Sequence, residues 1–160
     1  MAKKYLWILF LLMSFTSSAQ EAHIEGEINK VLDSFHQAAA NAKAEQYLTL
    51  LTDDAIFLGT DANERWNKKQ FTDFVLPYFN QGKGWLYVAK ERNISLLEGN
   101  SVAFFDEILE NKNYGNCRGS GVLVKTVQGW KISQYSLSLL VPNDVAKKVV
   151  EQIRHYEQQQ

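Results

Sequence analysis

Residues Ser101–Glu110 read SVAFFDEILE, a short segment in which two acids stand among apolar residues. Side chains of a strand point alternately to its two faces, so Asp106 and Glu107 fall on opposite faces, each with apolar neighbours. Such a strand is covered on both sides, or one face lines a cavity or an interface. We consider two hypotheses: one exposed acid and one structural ion pair with Arg118, or an acid that points into a pocket.

The same period of two continues through the second half of the chain. It predicts four strands, at about residues 85–94, 101–110, 116–127 and 129–141. Glu98-Gly99-Asn100 and Gln128-Gly129 are typical of hairpin turns, and strands joined by short turns form an antiparallel meander. Gly119 and Gly121 share one face of their strand, where they indicate a bulge or the close approach of another element.

The first half of the chain has helical periodicity instead. Apolar positions three and four residues apart predict a helix over Glu21–Ala42, a short helix over Ala44–Leu51 and a third helix after the N-cap Asn67. A strand at Ala55–Gly59 separates the last two, and a tail helix follows Pro142-Asn143-Asp144. Helices gathered on one side of an antiparallel sheet make an α+β domain, and we predict a single domain of this class.

The N-terminal residues have the pattern of an export signal. A basic start precedes the apolar run Tyr5–Phe15, and the small residues Ser17-Ser18-Ala19 follow it. This is the pattern of a secretory signal peptide, and the run is shorter than the roughly 20 apolar residues of a membrane-spanning helix. We predict a signal peptide at residues 1–19, cleavage before Gln20, a mature domain at residues 20–160, and an exported protein (periplasmic or secreted) without stable membrane insertion. The alternative is an uncleaved membrane anchor.

Composition excludes several classes of function. A formal net charge of −1 gives no basis for a nucleic-acid partner. The single cysteine, Cys117, excludes an internal disulfide framework and a cysteine-based zinc cluster. His23, His36 and His155 lack metal-ligand spacing, and His36 is interpreted as a boundary residue of the first helix. We therefore predict no metal and no cofactor.

Polar residues between the first strand and the third helix are further candidates. Asp61 follows the end of a buried strand, from which a carboxylate can enter a cavity mouth; the alternative is that it caps the turn. Glu64 and Arg65 are interpreted as a surface ion pair. In the last strand, the face with Gln134 and Ser136 suits a ligand cavity and equally suits a half-wet sheet surface.

Several segments resemble a SnoaL-like branch of the nuclear transport factor 2-like superfamily. They are AIFLGTDANERW (55–66), PYFNQGKGW (77–85), FFDE (104–107), YGNCRGSGVL (114–123) and WKISQYSLSLLVPND (130–144). The resemblance covers about residues 25–150. It implies a cone, in which a strongly curved antiparallel sheet wraps around the N-terminal helices with a pocket inside, and a homodimer formed through the outer sheet surface. In isomerase and cyclase members an acid lining the cone acts as general base, and Asp61 and Asp106 are the catalytic candidates by position.

Three functions follow as hypotheses. The first is an exported domain that binds a small, largely apolar molecule, with Asp61 and Asp106 fixing its orientation. Its candidate ligand-binding residues are Phe57, Trp66, Phe74, Phe104, Arg118, Gln134 and Ser136. The second is an isomerase, cyclase or dehydratase with Asp61 or Asp106 as base and Arg118 or Gln134 steadying the oxyanion. The third is a dimeric assembly module without catalysis.

Overall fold

The structure is a computed structural model that describes residues 3–159, with side chains from residue 19 onward. The elements are α1 (Lys3–Ala40), α2 (Ala44–Thr49), β1 (Leu51–Leu58), β2 (Arg65–Asn67), α3 (Lys68–Phe79), β3 (Val88–Leu96), β4 (Val102–Asn111), β5 (Gly115–Thr126), β6 (Gly129–Leu139) and α4 (Asn143–Glu157). Apart from Ala19, the side chains of the predicted signal peptide, residues 1–19, lie outside the described part.

The six strands form one curved, open sheet in the order β2-β1-β6-β5-β4-β3. Strands β3 to β6 are the predicted antiparallel meander, with turns at Gly99 and Gly129, both of which have positive φ. Strand β1 pairs with β6 in parallel, which a meander does not predict. The sheet wraps around helices on its inner face, and the predicted single α+β domain is confirmed.

Several boundaries differ from the predicted ones. Strand β1 begins at Leu51 instead of the predicted Ala55, and it therefore includes the polar Thr52-Asp53-Asp54. The Ile132 amide donates to the Leu50 carbonyl at 2.9 Å, so pairing with β6 starts before these polar residues. The three-residue strand β2 is too short to show a period, and β3 begins at Val88 instead of Trp85.

The core lies between the inner face of the sheet and one face each of α1, α2 and α3. Its fully buried side chains include Ile28, Leu32, Phe35, Tyr47, Phe71, Val75, Leu123 and Ile132. The predicted cap of α3 is confirmed: the Gln70 amide donates to Asn67 Oδ1 at 2.9 Å, and the Asn67 amide donates to Gln70 Oε1 at 3.0 Å. This capping box fixes the start of α3 and therefore the direction of its apolar face.

A bulge at Ser133 changes which side chains of β6 point to the inner face of the sheet. Val122 pairs with Gln134 and Leu123 pairs with Ile132, so Ser133 is an extra residue in the ladder. Beyond it Tyr135 is buried and Gln134 points outward. Strict alternation would place Ile132 and Gln134 on one face, but alternation does not survive a bulge, so Ile132 is buried while Gln134 is exposed.

The glycines of β5 permit close approach, as predicted. A Cβ at Gly119 would collide with the Tyr135 hydroxyl and would lie 2.9 Å from Glu107 Oε1. A Cβ at Gly121 would collide with the Gln134 carbonyl oxygen. Both glycines thus make room for the side chains and backbone of the neighbouring strands.

Glu107 stands at the centre of a buried polar cluster, here called the Glu107 cluster. Only 1% of this residue is exposed. His36 Nε2 donates to Glu107 Oε1 at 2.6 Å, the Tyr135 hydroxyl donates to the same oxygen at 3.3 Å, and Arg92 Nε donates to Oε2 at 2.8 Å. Arg92 Nη1 donates to Asp33 Oδ1 at 2.8 Å. The cluster therefore joins α1 to β3, β4 and β6.

Two expectations about these residues need correction. The structural ion pair exists, but its cation is Arg92, because Arg118 lies exposed on the opposite face of the sheet. His36 is bound to a buried carboxylate and does not merely border the apolar face of α1. Burial would raise the pKa of Glu107, but the hydrogen bonds and charges of His36 and Arg92 outweigh burial and lower it.

Glu107→Gln should destabilise the fold by about 3 kcal/mol at pH 7, because it leaves Arg92 without its buried counter-charge. Since the pKa of Glu107 is lowered on folding, its contribution is complete above the unfolded value of about 4.3 and is lost as the pH falls further. Urea unfolding at pH values from 7 to 3 measures the free energy of unfolding of both proteins. The difference between the wild type and Glu107→Gln should shrink below about pH 4.

Asp106→Asn is the matched control, because Asp106 is the next residue along β4 and lies on the outer face. It should change the free energy of unfolding by less than about 0.5 kcal/mol. Equal losses in the two variants would contradict the structural role of the Glu107 cluster.

Candidate functional site

An open cavity of about 410 Å³ lies between α3, the start of β2 and the segment that leads into β3. We call it the cone cavity. Its lining residues are Phe57, Gly59, Thr60, Glu64, Trp66, Phe71, Phe74, Tyr78, Trp85, Tyr87, Asn111, Asn113, Tyr114 and Leu137. Most of them are aromatic, and a cavity of this size and character is typical of small-molecule sites.

Aromatic side chains build the wall because α3 repeats them with helical spacing. Phe71, Phe74 and Tyr78 lie three and four residues apart, so they share one face of the helix. The Phe74 ring stacks on Trp66 with centroids 4.7 Å apart and lies 6.3 Å from Trp85. The helix, the β2 edge and the loop before β3 thus contribute to one continuous aromatic surface.

Glu64 supplies a carboxylate to this wall. Its Oε2 accepts a hydrogen bond from the Asp61 amide at 3.1 Å, which holds the side chain across the end of β1. A Cβ at Gly59 would collide with the Glu64 carboxylate, so this fold-back needs glycine there. Glu64 and Trp66 line the cavity, whereas Arg65 between them is exposed. The predicted surface pair of Glu64 and Arg65 is wrong, because the Glu64 carboxylate turns to the cavity and the end of β1 while Arg65 is exposed to solvent.

Tyr87 lies where the cone cavity meets the interior. In the described chain its hydroxyl has no hydrogen-bond partner among the protein groups. Burial, together with the neighbouring Cys117, Tyr114 and Glu64, raises the pKa of Tyr87 to about 12. The phenol therefore stays protonated at neutral pH and presents an uncharged polar group to the cavity.

A small void of about 20 Å³ lies behind the cone cavity. It shares Trp85, Tyr87 and Leu137 with the cavity, and His36 and Tyr135 form part of its far wall. The void has room for one water molecule. The Glu107 cluster is thus close to the inner end of the cavity but is separated from it by these aromatic side chains.

The candidate residues divide between two places. Phe57, Trp66 and Phe74 line the cone cavity. Phe104, Gln134 and Asp106 line a groove of about 520 Å³ on the outer face of the sheet, which we call the outer groove.

The remaining candidates lie outside both linings. Arg118 is exposed on the outer face, and Ser136 pairs with Ser120 of the outer groove. Asp61 is exposed in the turn after β1, where its Oδ1 accepts the Asn63 amide at 2.9 Å. The structure therefore does not bring the two acids Asp61 and Asp106 together.

Sequence reasoning did not select Glu64, Tyr87 or Trp85 for the site. The alternation of Glu64 and Trp66 was a usable signal, but β2 is too short to be recognised. Trp85 and Tyr87 were assigned to a strand, whereas they belong to the loop before β3, so their direction could not be inferred from strand alternation.

Within the described residues, no three His, Cys, Asp or Glu side chains are grouped so that they could hold a metal ion. Within the same part of the chain, no helix combines the length and apolar character that crossing a membrane requires.

Solved structures with this fold come from several bacteria. An NTF2-like protein of unknown function from Pseudomonas putida shares 11% identity at a TM-score of 0.64, with 78% of this chain and 92% of that one covered. A ketosteroid isomerase-like protein from Erwinia carotovora atroseptica shares 20% identity at a TM-score of 0.54, with 73% and 96% covered. A Xanthomonas campestris protein is named as a calcium/calmodulin-dependent protein kinase II association domain. It shares 20% identity at a TM-score of 0.54, with 71% of this chain and 86% of that one covered.

These identities establish a common fold and nothing finer. A search of curated proteins found no match. The family model of the SnoaL-like domain matches residues 28–142, which include all six strands and every α1 core residue except Ile24. The chain therefore belongs to the family of SnoaL-like domains.

Proposed function

We propose that this SnoaL-like domain binds a small, largely apolar molecule in the cone cavity. The observation that carries the proposal is the continuous aromatic wall around a cavity of about 410 Å³. Ligand sites of this kind occupy about 300–1,000 Å³ and combine apolar walls with a few polar groups. Here Glu64, Tyr87 and Asn113 are such polar groups.

Binding is favoured over catalysis by the position of the acids. An isomerase, cyclase or dehydratase needs a base within hydrogen-bond reach of its bound substrate. Neither Asp61 nor Asp106, the two candidate bases, is among the lining residues of the cone cavity. The Erwinia carotovora atroseptica structure that is named ketosteroid isomerase-like agrees with ligand binding in this fold. Its chemistry does not come to this chain, because a shared fold does not carry chemistry.

Export is a second part of the proposal, and it rests on the sequence of residues 1–19. The first core residue of the described chain is Ile24, so cleavage before Gln20 would remove none of the described core side chains. The mature domain would then act outside the cytoplasm, in the periplasm or the medium.

We also propose that two copies associate through the outer face of the sheet. Phe104 is 50% exposed there, next to the outer groove of about 520 Å³. An apolar side chain in such a position is stabilised when a second surface covers it. The name of the Xanthomonas campestris relative, an association domain, agrees with oligomer formation for this fold.

Phe74→Ala should weaken binding of the uncharged fluorescent probe N-phenyl-1-naphthylamine about tenfold, which corresponds to about 1.4 kcal/mol. The substitution removes a stacked ring from the cavity wall and keeps α3, because alanine favours helix. Fluorescence titration measures the dissociation constant. Phe104→Ala is the matched control. It should leave the dissociation constant of the probe unchanged, because Phe104 lines the outer groove and not the cone cavity. Weaker binding in the control with normal binding in Phe74→Ala would contradict the proposed site.

The full-length chain, produced in a bacterial host, should be recovered from the periplasm or medium with Gln20 as its first residue. Mass spectrometry of the intact protein measures the N-terminus directly. A cytoplasmic protein that retains residues 1–19 would refute export, and a membrane-bound one would support the uncleaved anchor.

Phe104→Glu should convert the mature protein from a dimer to a monomer, because it places a charge in an apolar contact. Sedimentation velocity measures the change. Leu97→Glu is the control: Leu97 is 48% exposed but lies at the turn between β3 and β4. A wild-type monomer, or equal dissociation in both variants, would exclude this interface.

A further inference from the structure

We propose that the ligand of the cone cavity is an organic cation, a quaternary ammonium or protonated amine attached to an apolar body. This inference rests on the proposed function, because it assigns a chemical class to the same ligand. It is carried by the combination of an aromatic wall with one unpaired carboxylate, Glu64.

The charge balance of the cavity favours a cation. Among its lining residues, all within the described chain, Glu64 alone carries a formal charge at neutral pH. No ion pair involves Glu64 in the part of the chain with described side chains, and its carboxylate accepts a hydrogen bond from the Asp61 amide. Two carboxylate oxygens can accept about four hydrogen bonds, so Glu64 retains free acceptor capacity. A counter-charge from a ligand would balance it.

The aromatic wall suits the same charge. The rings of Trp66, Phe74, Tyr78 and Trp85 adjoin one another, with neighbouring centroids between 4.7 and 6.4 Å apart. A cation within about 6 Å of such a ring is attracted by the electron-rich face, most strongly by tryptophan. The attraction becomes stronger as water is excluded from the contact between the cation and the ring.

Tyr87 adds an uncharged oxygen to the cavity wall. Its hydroxyl has no partner in the described chain, and Glu64 and Tyr114, both of the cavity wall, are among the groups that influence it electrostatically. The phenol oxygen can accept a hydrogen bond from a protonated amine. The cavity therefore offers one charged and one neutral acceptor together with ring faces.

An anionic ligand fits the cavity poorly. Its charge would be repelled by Glu64, and no Lys, Arg or His lies among the lining residues to offset the repulsion. Arg92, whose side chain is 10% exposed, is not a lining residue and is already engaged by Glu107 and Asp33. A neutral apolar ligand would fit the rings but would leave the Glu64 charge unbalanced.

The test compares benzyltrimethylammonium with its uncharged isostere, 2,2-dimethylpropylbenzene, as competitors of N-phenyl-1-naphthylamine. The two compounds have the same shape and differ only in charge. The wild-type protein should bind the cation about tenfold more tightly than the hydrocarbon. In Glu64→Gln the ratio of the hydrocarbon's dissociation constant to that of the cation should fall to about two or less. The dissociation constant of the hydrocarbon itself should stay unchanged. The glutamine keeps an oxygen that can accept the Asp61 amide, and circular dichroism checks that the variant is folded.

Glu98→Gln is the control variant, because Glu98 is an exposed acid in the turn between β3 and β4. It should keep the wild-type preference for the cation. If both compounds bind the wild-type protein equally, the cation inference is overturned while the apolar site stands. If Glu64→Gln keeps the full preference, the assignment of Glu64 is overturned as well. If neither the probe nor either compound binds, the proposed function itself fails.

Discussion

One buried carboxylate, that of Glu107, joins the walls of this domain. It receives hydrogen bonds from α1, β3 and β6 through His36, Arg92 and Tyr135, and it lies itself on β4. A buried charge costs several kcal/mol unless its partners are in place, so displacement of α1 or β3 from the sheet is penalised. Gly119 permits this arrangement, because any side chain there would collide with Tyr135.

This constraint also explains how the acids of the chain divide their tasks. Glu107 is occupied by its partners, which lower its pKa, and the aromatic side chains around the inner void separate it from the cone cavity. Glu64 lies on the cavity wall with only a backbone amide as its partner. A ligand can therefore interact with Glu64 without disturbing the cluster that stabilises the fold. The more buried acid has the structural role, and the more accessible acid is available for binding.

The sequence predicted those features that depend on neighbouring residues. Alternation and hairpin glycines identified the meander, the Asn67 cap located α3, and the paired glycines of β5 indicated a close approach. Features that depend on distant contacts were not predicted. The parallel pairing of β1 with β6 joins segments about 80 residues apart in the chain, as the pairing of Leu51 with Ile132 illustrates. No local pattern reveals such a contact.

The candidate site was predictable only in part, for the same reason. Phe57, Trp66 and Phe74 belong to segments whose faces follow from local period, and they line the cone cavity. The bulge at Ser133 turned Gln134 to the outer face, and β2 was too short to reveal the direction of Glu64. A crystal structure of the protein with benzyltrimethylammonium shows whether the cone cavity recognises a cation. We predict that the ligand nitrogen lies within about 6 Å of a tryptophan ring and beside the Glu64 carboxylate. A cation bound in the outer groove, with the cone cavity free of it, would refute recognition of the cation by the cone cavity.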